Sequence, residues 1–221
     1  MYRDSSGKTL EDYPRPSVAV DTAVLTVDRD SLLGVLLVHS AGERGWRLPG
    51  TFLHEGEILA DAVLRSLAQK AGMAPARAPR QLHVFDDPGR DHRGRVLSVA
   101  HVLVVPWSAV GPVLDARPDD VCVRPVAEAG ALPFDHDRIV ELAVERLRAE
   151  YRDRPDPEHL LDQPFTLRQL RLLHQEILGE RLHPDNFRRL MAPQLTDTGR
   201  TTEGTVGRPA ALYTRPARPA P

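Results

Sequence analysis

Residues 48–73 read LPGTFLHEGEILADAVLRSLAQKAGM, and this stretch decides the fold of the N-terminal half. Its first ten residues contain proline, glycine and charged side chains, which is typical of a loop. From Ile58 to Ala71 the apolar residues recur at helical spacing, and Gly72 is a natural C-terminal stop. The sequence therefore predicts a loop that leads into an amphipathic helix over residues 58–71.

Runs of apolar and β-branched residues, which favour strands, flank this helix on both sides. They cover residues 17–27, 33–39, 81–85 and 96–106. Strands that bracket one helix predict an α/β unit with a mixed sheet over residues 15–131, preceded by a flexible N-terminus at residues 1–14.

The pattern changes after Pro133. Asp135 is expected to cap a helix that runs to Tyr151, so that residues 132–155 form a linking helix. Thr166 is expected to cap a second helix that Gly179 ends, and residues 185–191 form a third, short helix.

A strand is expected at Ala210–Tyr213, after a polar stretch rich in glycine. Two helices joined by a tight turn and followed by strand, loop and strand predict a winged helix-turn-helix over residues 156–214. Residues 215–221 are expected to form a frayed tail.

Composition excludes several classes of protein. The 221 residues are 41% apolar with a formal net charge of −2, which fits globular domains rather than a disordered or wholly basic chain. No apolar run approaches the length of a membrane span, and the polar N-terminus has no signal-peptide core. Cys122 is the only cysteine, so no intramolecular disulfide can form. We expect a cytoplasmic protein with no membrane partner.

The positive charge is concentrated near the C-terminus. Residues 181–221 contain seven arginines against three acidic residues, a local charge of +4, which is the asymmetry expected of a DNA-facing surface. Side chains suited to base edges or phosphates lie on the third helix and beside the wing. The candidate DNA-binding residues are Asn186, Arg188, Arg189, Arg200 and Arg208. Phe187 and Leu190 are expected to point into the core beneath.

The stretch that opens this section resembles the Nudix box. Glu57, Arg65 and the closing Gly72-Met73 match that box in type and spacing, whereas Thr51 stands where the family has its first glycine. The three glutamates that hold magnesium in Nudix hydrolases fall on Ser66, Gln69 and Lys70. A hard divalent cation needs several anionic oxygens, and an ammonium group repels it. The resemblance therefore implies a Nudix-like domain that binds no metal and catalyses no hydrolysis.

Several segments also resemble the NrtR family of Nudix-related transcriptional regulators, over roughly residues 14–214. Among them are Asn186-Phe187-Arg188-Arg189, Gly207-Arg208-Pro209 and Phe134-Asp135-His136. The resemblance implies a homodimeric repressor of NAD metabolism genes that binds a double-stranded DNA operator. It also implies that ADP-ribose or a related nucleotide is the effector, with no cofactor.

Candidate effector contacts come from the loop, the helix and the turn at 86–95. They are Trp46, Arg47, Glu57, Arg65, Lys70, Arg90, Arg93 and Arg95. Alternatives stay open for several of them. Arg65 could instead pair with Glu57 to hold the loop, Trp46 could pack on the core, and the three turn arginines could be solvated.

Two other functions are compatible with the sequence. An active Nudix pyrophosphatase acting on ADP-ribose or a similar compound would need the missing carboxylates to be dispensable. A nucleotide-binding protein whose C-terminal helices contact only other proteins would show no salt-dependent affinity for DNA.

Overall fold

The computed structural model describes residues 2–28, 32–39, 45–203 and 209–216. The N-terminal unit contains six strands and two helices, and a third helix follows. The strands are β1 (Ser17–Val27), β2 (Leu33–Val38), β3 (Gly50–Phe52), β4 (Arg80–Phe85), β5 (Val96–Val104) and β6 (Val121–Pro125). The helices are α1 (Leu59–Ser66), α2 (Trp107–Ala116) and α3 (His136–Tyr151).

The six strands form one mixed sheet, as predicted. Its order is β4-β5-β1-β2-β6, and β3 pairs with the first part of β1. β1 and β5 run parallel, and the other pairs are antiparallel. Since β1 lies at the centre, its residues are buried on both faces. Ala23 and Leu25 pack toward α3, while Val20 and Val24 pack toward α1 and α2, which gives three layers.

The helix predicted over residues 58–71 is confirmed, with a change of geometry inside it. α1 continues into a π-helical turn over Leu67–Ala71, which ends at Gly72 with a left-handed φ of 67°. Single π turns of this kind often occur at functional sites. Ser66 is the last residue of α1, and Gln69 and Lys70 lie in the π turn.

The sequence did not predict α2, β3 or β6. α2 contains Gly111 and Pro112, which both disfavour a helix interior. The helix forms because Val110 is fully buried against the sheet. A Cβ at Gly111 would lie 3.1 Å from Nε1 of Trp107, a tight contact that the glycine avoids.

The C-terminal unit is the predicted winged helix-turn-helix. It consists of β7 (Phe165–Thr166), α4 (Leu167–Leu178), α5 (Pro184–Met191), β8 (Thr196–Thr201) and β9 (Ala211–Thr214), with strand order β7-β9-β8. Phe165, Leu170, Phe187 and Met191 form its core. The prediction that Leu190 is buried is wrong: the residue is 49% exposed, since Phe187 and Met191, four positions apart, occupy the inner face of α5.

α3 is shared between the two units. Its inner face, which includes Ile139, Ala143 and Leu147, packs in the same core as the sheet residues. Leu173 and Ile177 of α4 belong to that core too, and Nε of Arg148 donates to the Ile177 carbonyl at 3.0 Å. The linking helix therefore contacts the sheet on one side and the winged helix on the other.

Hydrogen bonds and one short turn order the N-terminal segment. In the N-terminal segment, Asp4 accepts hydrogen bonds from Ser6, Lys8 and Tyr13, and Leu10–Asp12 forms a single 3-10 turn.

Within the described ranges no helix has both the length and the apolar character that crossing a bilayer requires.

The capping box at the start of α4 gives a first prediction. Gln169 N–H donates to the Thr166 hydroxyl at 3.2 Å, and Gln169 Oε1 accepts from Thr166 N–H at 2.8 Å. Thr166→Ala removes the hydroxyl and should lower the free energy of unfolding by about 1 kcal/mol in urea titrations. Thr166→Ser keeps the oxygen and serves as the control. Equal stability of the two variants would contradict this role.

Candidate functional site

A cavity of about 190 Å³ opens at one end of β1, between β3, the turn at residues 86–95 and the start of α3. Its wall is polar and mostly cationic, with rings on one side. The charged lining residues are Arg47, Lys70, Arg90, Arg93, Asp21 and Asp91, and the rings belong to Phe52, Phe134 and His136.

The structure brings together half of the candidate effector residues. Arg47, Lys70, Arg90 and Arg93 line the cavity, although they come from three separate stretches of sequence. Such a set of guanidinium and ammonium groups suits an anionic ligand with several oxygens, such as a pyrophosphate.

The other candidates make different contacts. Trp46 packs against the core with the Arg124 guanidinium 5.6 Å from its ring centroid. Nη1 of Arg95 donates to the carbonyl of Asp86 at 2.6 Å and so closes the turn. Neither residue is among those that line the cavity.

Arg65 and Glu57 form a clamp that holds the loop before α1. Nε of Arg65 donates to Glu57 Oε1 at 2.7 Å and Nη2 donates to Oε2 at 2.8 Å. The same guanidinium donates to Thr51 Oγ1 and to the Phe52 carbonyl. The hydrogen bonds from Arg65 and from His54 N–H lower the pKa of Glu57 to about 2. This geometry matches the alternative in which Arg65 holds the loop.

Arg90 is a deeply buried cation of the cavity, with 3% of its side chain exposed. Its Nε and Nη2 donate to the two carboxylate oxygens of Asp135 at 3.1 and 2.8 Å, and Nη2 also donates to the Phe134 carbonyl at 3.1 Å. Asp135 stands at the N-cap position of α3, but its side chain makes no capping hydrogen bond. The prediction that Asp135 is the N-cap residue is confirmed for its position, whereas the expected side-chain cap does not form because Arg90 engages the carboxylate.

Arg93 lies between two aromatic rings at the cavity mouth. Its guanidinium carbon is 4.8 Å from the Phe134 centroid and 5.4 Å from that of Phe52, and Nη2 pairs with Asp91 Oδ2 at 2.7 Å. The hydrogen bonds from Arg93 lower the pKa of Asp91 to about 2. Arg93 and the rings thus form an amphipathic rim around a charged interior.

A buried carboxylate, Asp21, lies at the base of the cavity. It accepts a hydrogen bond from Ser98 Oγ at 2.5 Å, faces Nε2 of His136 at 3.3 Å, and lies 3.7 Å from Arg90 Nη2. Leu48 N–H donates to Nδ1 of His136 at 3.1 Å, so the ring is fixed by both nitrogens. Burial raises the pKa of Asp21, but the facing His136 and Arg90 and the Ser98 hydrogen bond lower it by more, and the pKa lies below its ordinary value.

Sequence reasoning missed Asp21, Asp91 and Phe134 as parts of this site, and it gave His136 no role. Phe134, Asp135 and His136 stand next to one another in a segment that resembles the NrtR family, and that was the available signal. The sequence contained no such signal for Asp21, because this residue lies inside a strand-forming run and contacts its partners only in the folded chain.

The former metal-binding positions have changed in character. Ser66 is 1% exposed on the buried face of α1, Gln69 is exposed, and Lys70 lines the cavity. No cluster of histidine, cysteine, aspartate or glutamate with metal-binding geometry occurs in the part of the chain that the structure describes.

The candidate DNA-binding side chains of α5 project away from its core. Asn186, Arg188 and Arg189 are exposed, and Arg189 Nη2 donates to Asn186 Oδ1 at 2.5 Å. Arg200 is exposed on β8. Arg208 lies outside the described residues.

Arg215 departs from the prediction of a frayed tail. Its side chain is 10% exposed and forms an ion pair with Asp156, which has no exposed side-chain surface. Arg215 Nη2 also donates to the Leu161 carbonyl at 3.0 Å. Since this guanidinium is buried and neutralised, it adds nothing to the positive surface that the charge count indicated.

A three-layer α/β domain with a cationic cavity, joined to a winged helix, defines a ligand-sensing DNA-binding protein. The family model of the NUDIX domain matches residues 16–143, and that of the NrtR DNA-binding winged helix domain matches residues 157–214. The chain therefore belongs to the NrtR family of Nudix-related transcriptional regulators.

Three proteins show what the chain is similar to. The ADPR responsive transcriptional repressor NtrR of Acinetobacter baylyi is 28% identical over 208 residues, which is 91% of this chain and 83% of that protein. NrtR of Shewanella oneidensis, in a crystal structure with a 27mer DNA, is 33% identical with a TM-score of 0.74, covering 90% of this chain and 93% of that one.

The Nudix domain of the same Shewanella protein was solved in complex with ADP ribose. It is 29% identical with a TM-score of 0.53, covering 64% of this chain and 95% of that one. An ADP-ribose pyrophosphatase of Methanocaldococcus jannaschii is 31% identical over 133 residues, which is 58% of this chain and 73% of that protein.

The environment of Asp21 gives a second prediction. Asp21→Asn leaves Arg90 and His136 without their buried carboxylate and should lower the free energy of unfolding at pH 7 by about 3 kcal/mol. Because the pKa of Asp21 is lowered in the folded protein, the stability due to its ionisation is present at neutral pH and fades only as the pH falls below about 4. The variant should therefore lose less stability than the wild type on acidification.

Denaturation curves between pH 3 and pH 7 measure both effects. Ser98→Ala is the control, since it removes one hydrogen bond and keeps the charge, and it should cost about 1–2 kcal/mol. An Asp21→Asn protein as stable as the wild type at pH 7 would refute the buried ion-pair assignment.

Proposed function

We propose that this protein is a transcriptional repressor whose winged helix reads an operator and whose Nudix domain binds ADP-ribose or a closely related nucleotide. Binding of the nucleotide lowers the affinity of the repressor for DNA. The observation that carries this proposal is the cavity in which Arg47, Lys70, Arg90 and Arg93 converge. The relatives that respond to, or bind, ADP-ribose support the choice of nucleotide. The resemblance of the sequence to the NrtR family implies in addition that the regulated genes are those of NAD metabolism.

The chemistry of the cavity fits a nucleoside diphosphate derivative. One guanidinium group can donate hydrogen bonds to two phosphate oxygens at once. Lys70 supplies a point charge and has no carboxylate partner among the described residues. Phe52 and Phe134 lie at the same mouth with Arg93 between them, and this rim of rings and guanidinium suits a base or a sugar. Arg47, Lys70, Arg90 and Arg93 are therefore the proposed effector-binding residues.

The same residues support the absence of hydrolysis. A catalytic divalent cation needs several anionic oxygens on one face. Ser66, Gln69 and Lys70 offer a buried hydroxyl, an exposed amide and an ammonium, and Glu57 is held by Arg65. This donor set does not fit magnesium. The family's usual route to an activated water is therefore missing, and the domain acts as a receptor.

The alternative is a working ADP-ribose pyrophosphatase with a C-terminal accessory domain. The similarity to the Methanocaldococcus jannaschii enzyme favours it for the N-terminal part alone. Release of AMP and ribose 5-phosphate from ADP-ribose by purified protein with magnesium would establish this alternative.

Metal independence is the third prediction. Calorimetric titration with ADP-ribose should give the same affinity in EDTA as in magnesium, because Lys70 replaces the cation. Lys70→Gln should weaken binding about tenfold, the loss expected for one charge-assisted hydrogen bond. Lys8→Gln removes the only other lysine and should have no effect. Binding that disappears in EDTA would overturn the proposed receptor chemistry.

DNA reading is the fourth prediction. As a homodimer, the protein would place two copies of α5 in successive major grooves of an imperfect palindrome. Arg188→Ala and Arg189→Ala should each raise the Kd for duplexes selected by the wild type about tenfold or more, as expected for lost guanine contacts. Fluorescence anisotropy at fixed salt measures this.

Arg138→Ala is the control for that experiment, since Arg138 is exposed on α3, away from α5, and pairs with Glu141. Unchanged selectivity in the α5 variants would reassign the reading surface. Release of the selected duplex by ADP-ribose, with the wild type, tests the proposed function as a whole.

A further inference from the structure

α3 ends at an unusual backbone corner on each side. Phe134 and Asp135, directly before the helix, have φ of 56° and 60°. Asp156, five residues after the last residue of the helix, has φ of 47°. L-residues other than glycine rarely adopt this left-handed conformation, and they keep it only where the surroundings impose it. Contacts that hold these corners therefore decide how α3 is seated.

A buried arginine holds each corner. Arg90 grips the first one through both carboxylate oxygens of Asp135 and the Phe134 carbonyl. Arg215 grips the second one through Asp156, whose carboxylate also accepts from the Tyr151 hydroxyl at 2.7 Å and from Leu160 N–H at 2.8 Å. Tyr151 is the last residue of α3, and Arg215 directly follows β9.

The second corner is joined to the DNA-reading helix. The ring of His174, in α4, lies 5.0 Å from the Tyr151 ring and 5.1 Å from the Phe187 ring, centroid to centroid. Phe187 is the buried anchor of α5. The end of α3 thus contacts α5 through one intervening side chain and contacts the strand after the wing through Asp156.

The first corner is joined to the effector cavity, because Arg90 itself lines that cavity. Phosphate oxygens compete with a carboxylate for the same bidentate donors. A pyrophosphate that recruits Arg90 must therefore weaken its hold on Asp135, and an unheld left-handed corner can relax.

We propose that the Arg90–Asp135 ion pair is the latch that the effector opens, and that α3 carries the change to the wing and to α5 through Tyr151 and Asp156. This inference rests on the proposed function and specifies its regulation. The latched state binds DNA better and the opened state binds the nucleotide better, as any coupling between two sites requires.

The latch has a signature that a purely structural role would lack. Asp135→Asn weakens the ion pair while leaving the cavity lining in place, since Asp135 is not among the lining residues. It should shift the protein toward the opened state before any ligand is added. DNA affinity without ligand should then fall, ADP-ribose affinity without DNA should rise, and the factor by which ADP-ribose weakens DNA binding should shrink.

Full-length wild type and variants are compared by DNA anisotropy with and without ADP-ribose, and by calorimetry with ADP-ribose alone. Couplings of this kind are about 5- to 150-fold, and Asp135→Asn should reduce the wild-type factor at least about threefold. Asp137→Asn is the matched control, since it removes a carboxylate from the same helical turn, where it accepts only from Arg138 N–H. It should keep the wild-type factor.

Tyr151→Phe tests the other end of α3 and stands in if Asp135→Asn fails to fold. It removes the hydroxyl that donates to Asp156 and keeps the ring against His174. ADP-ribose affinity without DNA should be unchanged, while the coupling factor falls. Wild-type coupling that persists in both variants would overturn the latch and leave the proposed function intact. A wild type whose DNA affinity ignores ADP-ribose would overturn the proposed function itself.

Discussion

A buried guanidinium fixes the geometry of the N-terminal unit. Arg90 is almost wholly enclosed, and a charge at that depth is tolerated only when carboxylates and carbonyls surround it. Its partners come from distant parts of the chain: Asp21 from the central strand and Asp135 from the corner before α3. One side chain therefore holds a strand, a turn and a helix together, and the cavity is the space that this arrangement leaves open.

The position of α3 follows from that constraint. Its apolar face completes the core on one side of the sheet, and the same face continues into contacts with α4. A helix that packs in two units cannot change its position in one unit without disturbing the other. The reason is that packed cores shift between discrete arrangements rather than deform continuously. The same packing that stabilises the fold is thus the physical basis of the proposed coupling between the cavity and α5.

Local sequence patterns predicted most of the fold, and the exceptions have physical reasons. β1, the helix at residues 58–71 and α4 follow clear periodicity and clear stops, so their bounds were predicted closely. α2 was missed because its glycine and proline disfavour a helix, and only burial against the sheet restores it. Domain boundaries placed within the linking region stay a prediction, since α3 packs with both units.

The site was predictable only in part, because pairing in three dimensions cannot be deduced from residue types. The cavity cations were found from their charge and their place in the loop, the helix and the turn, whereas Asp21 and His136 looked like ordinary members of a strand and a helix. Arg215 illustrates the opposite error. It was counted among the surface cations, yet the folded chain buries it against Asp156, so a charge count overestimates the surface that can face DNA.

The proposed receptor role depends on Ser66, Gln69 and Lys70, which stand where Nudix hydrolases have carboxylates. A hydrolase needs a metal that neutralises the pyrophosphate and activates a water molecule that attacks it. A fixed ammonium at the cavity wall supplies the neutralising charge. It cannot activate a water molecule, because it neither coordinates nor acidifies water. In the proposed receptor, binding therefore survives while turnover does not. A ligand that stays intact can hold Arg90 for as long as it is bound, which is the condition a sensor requires.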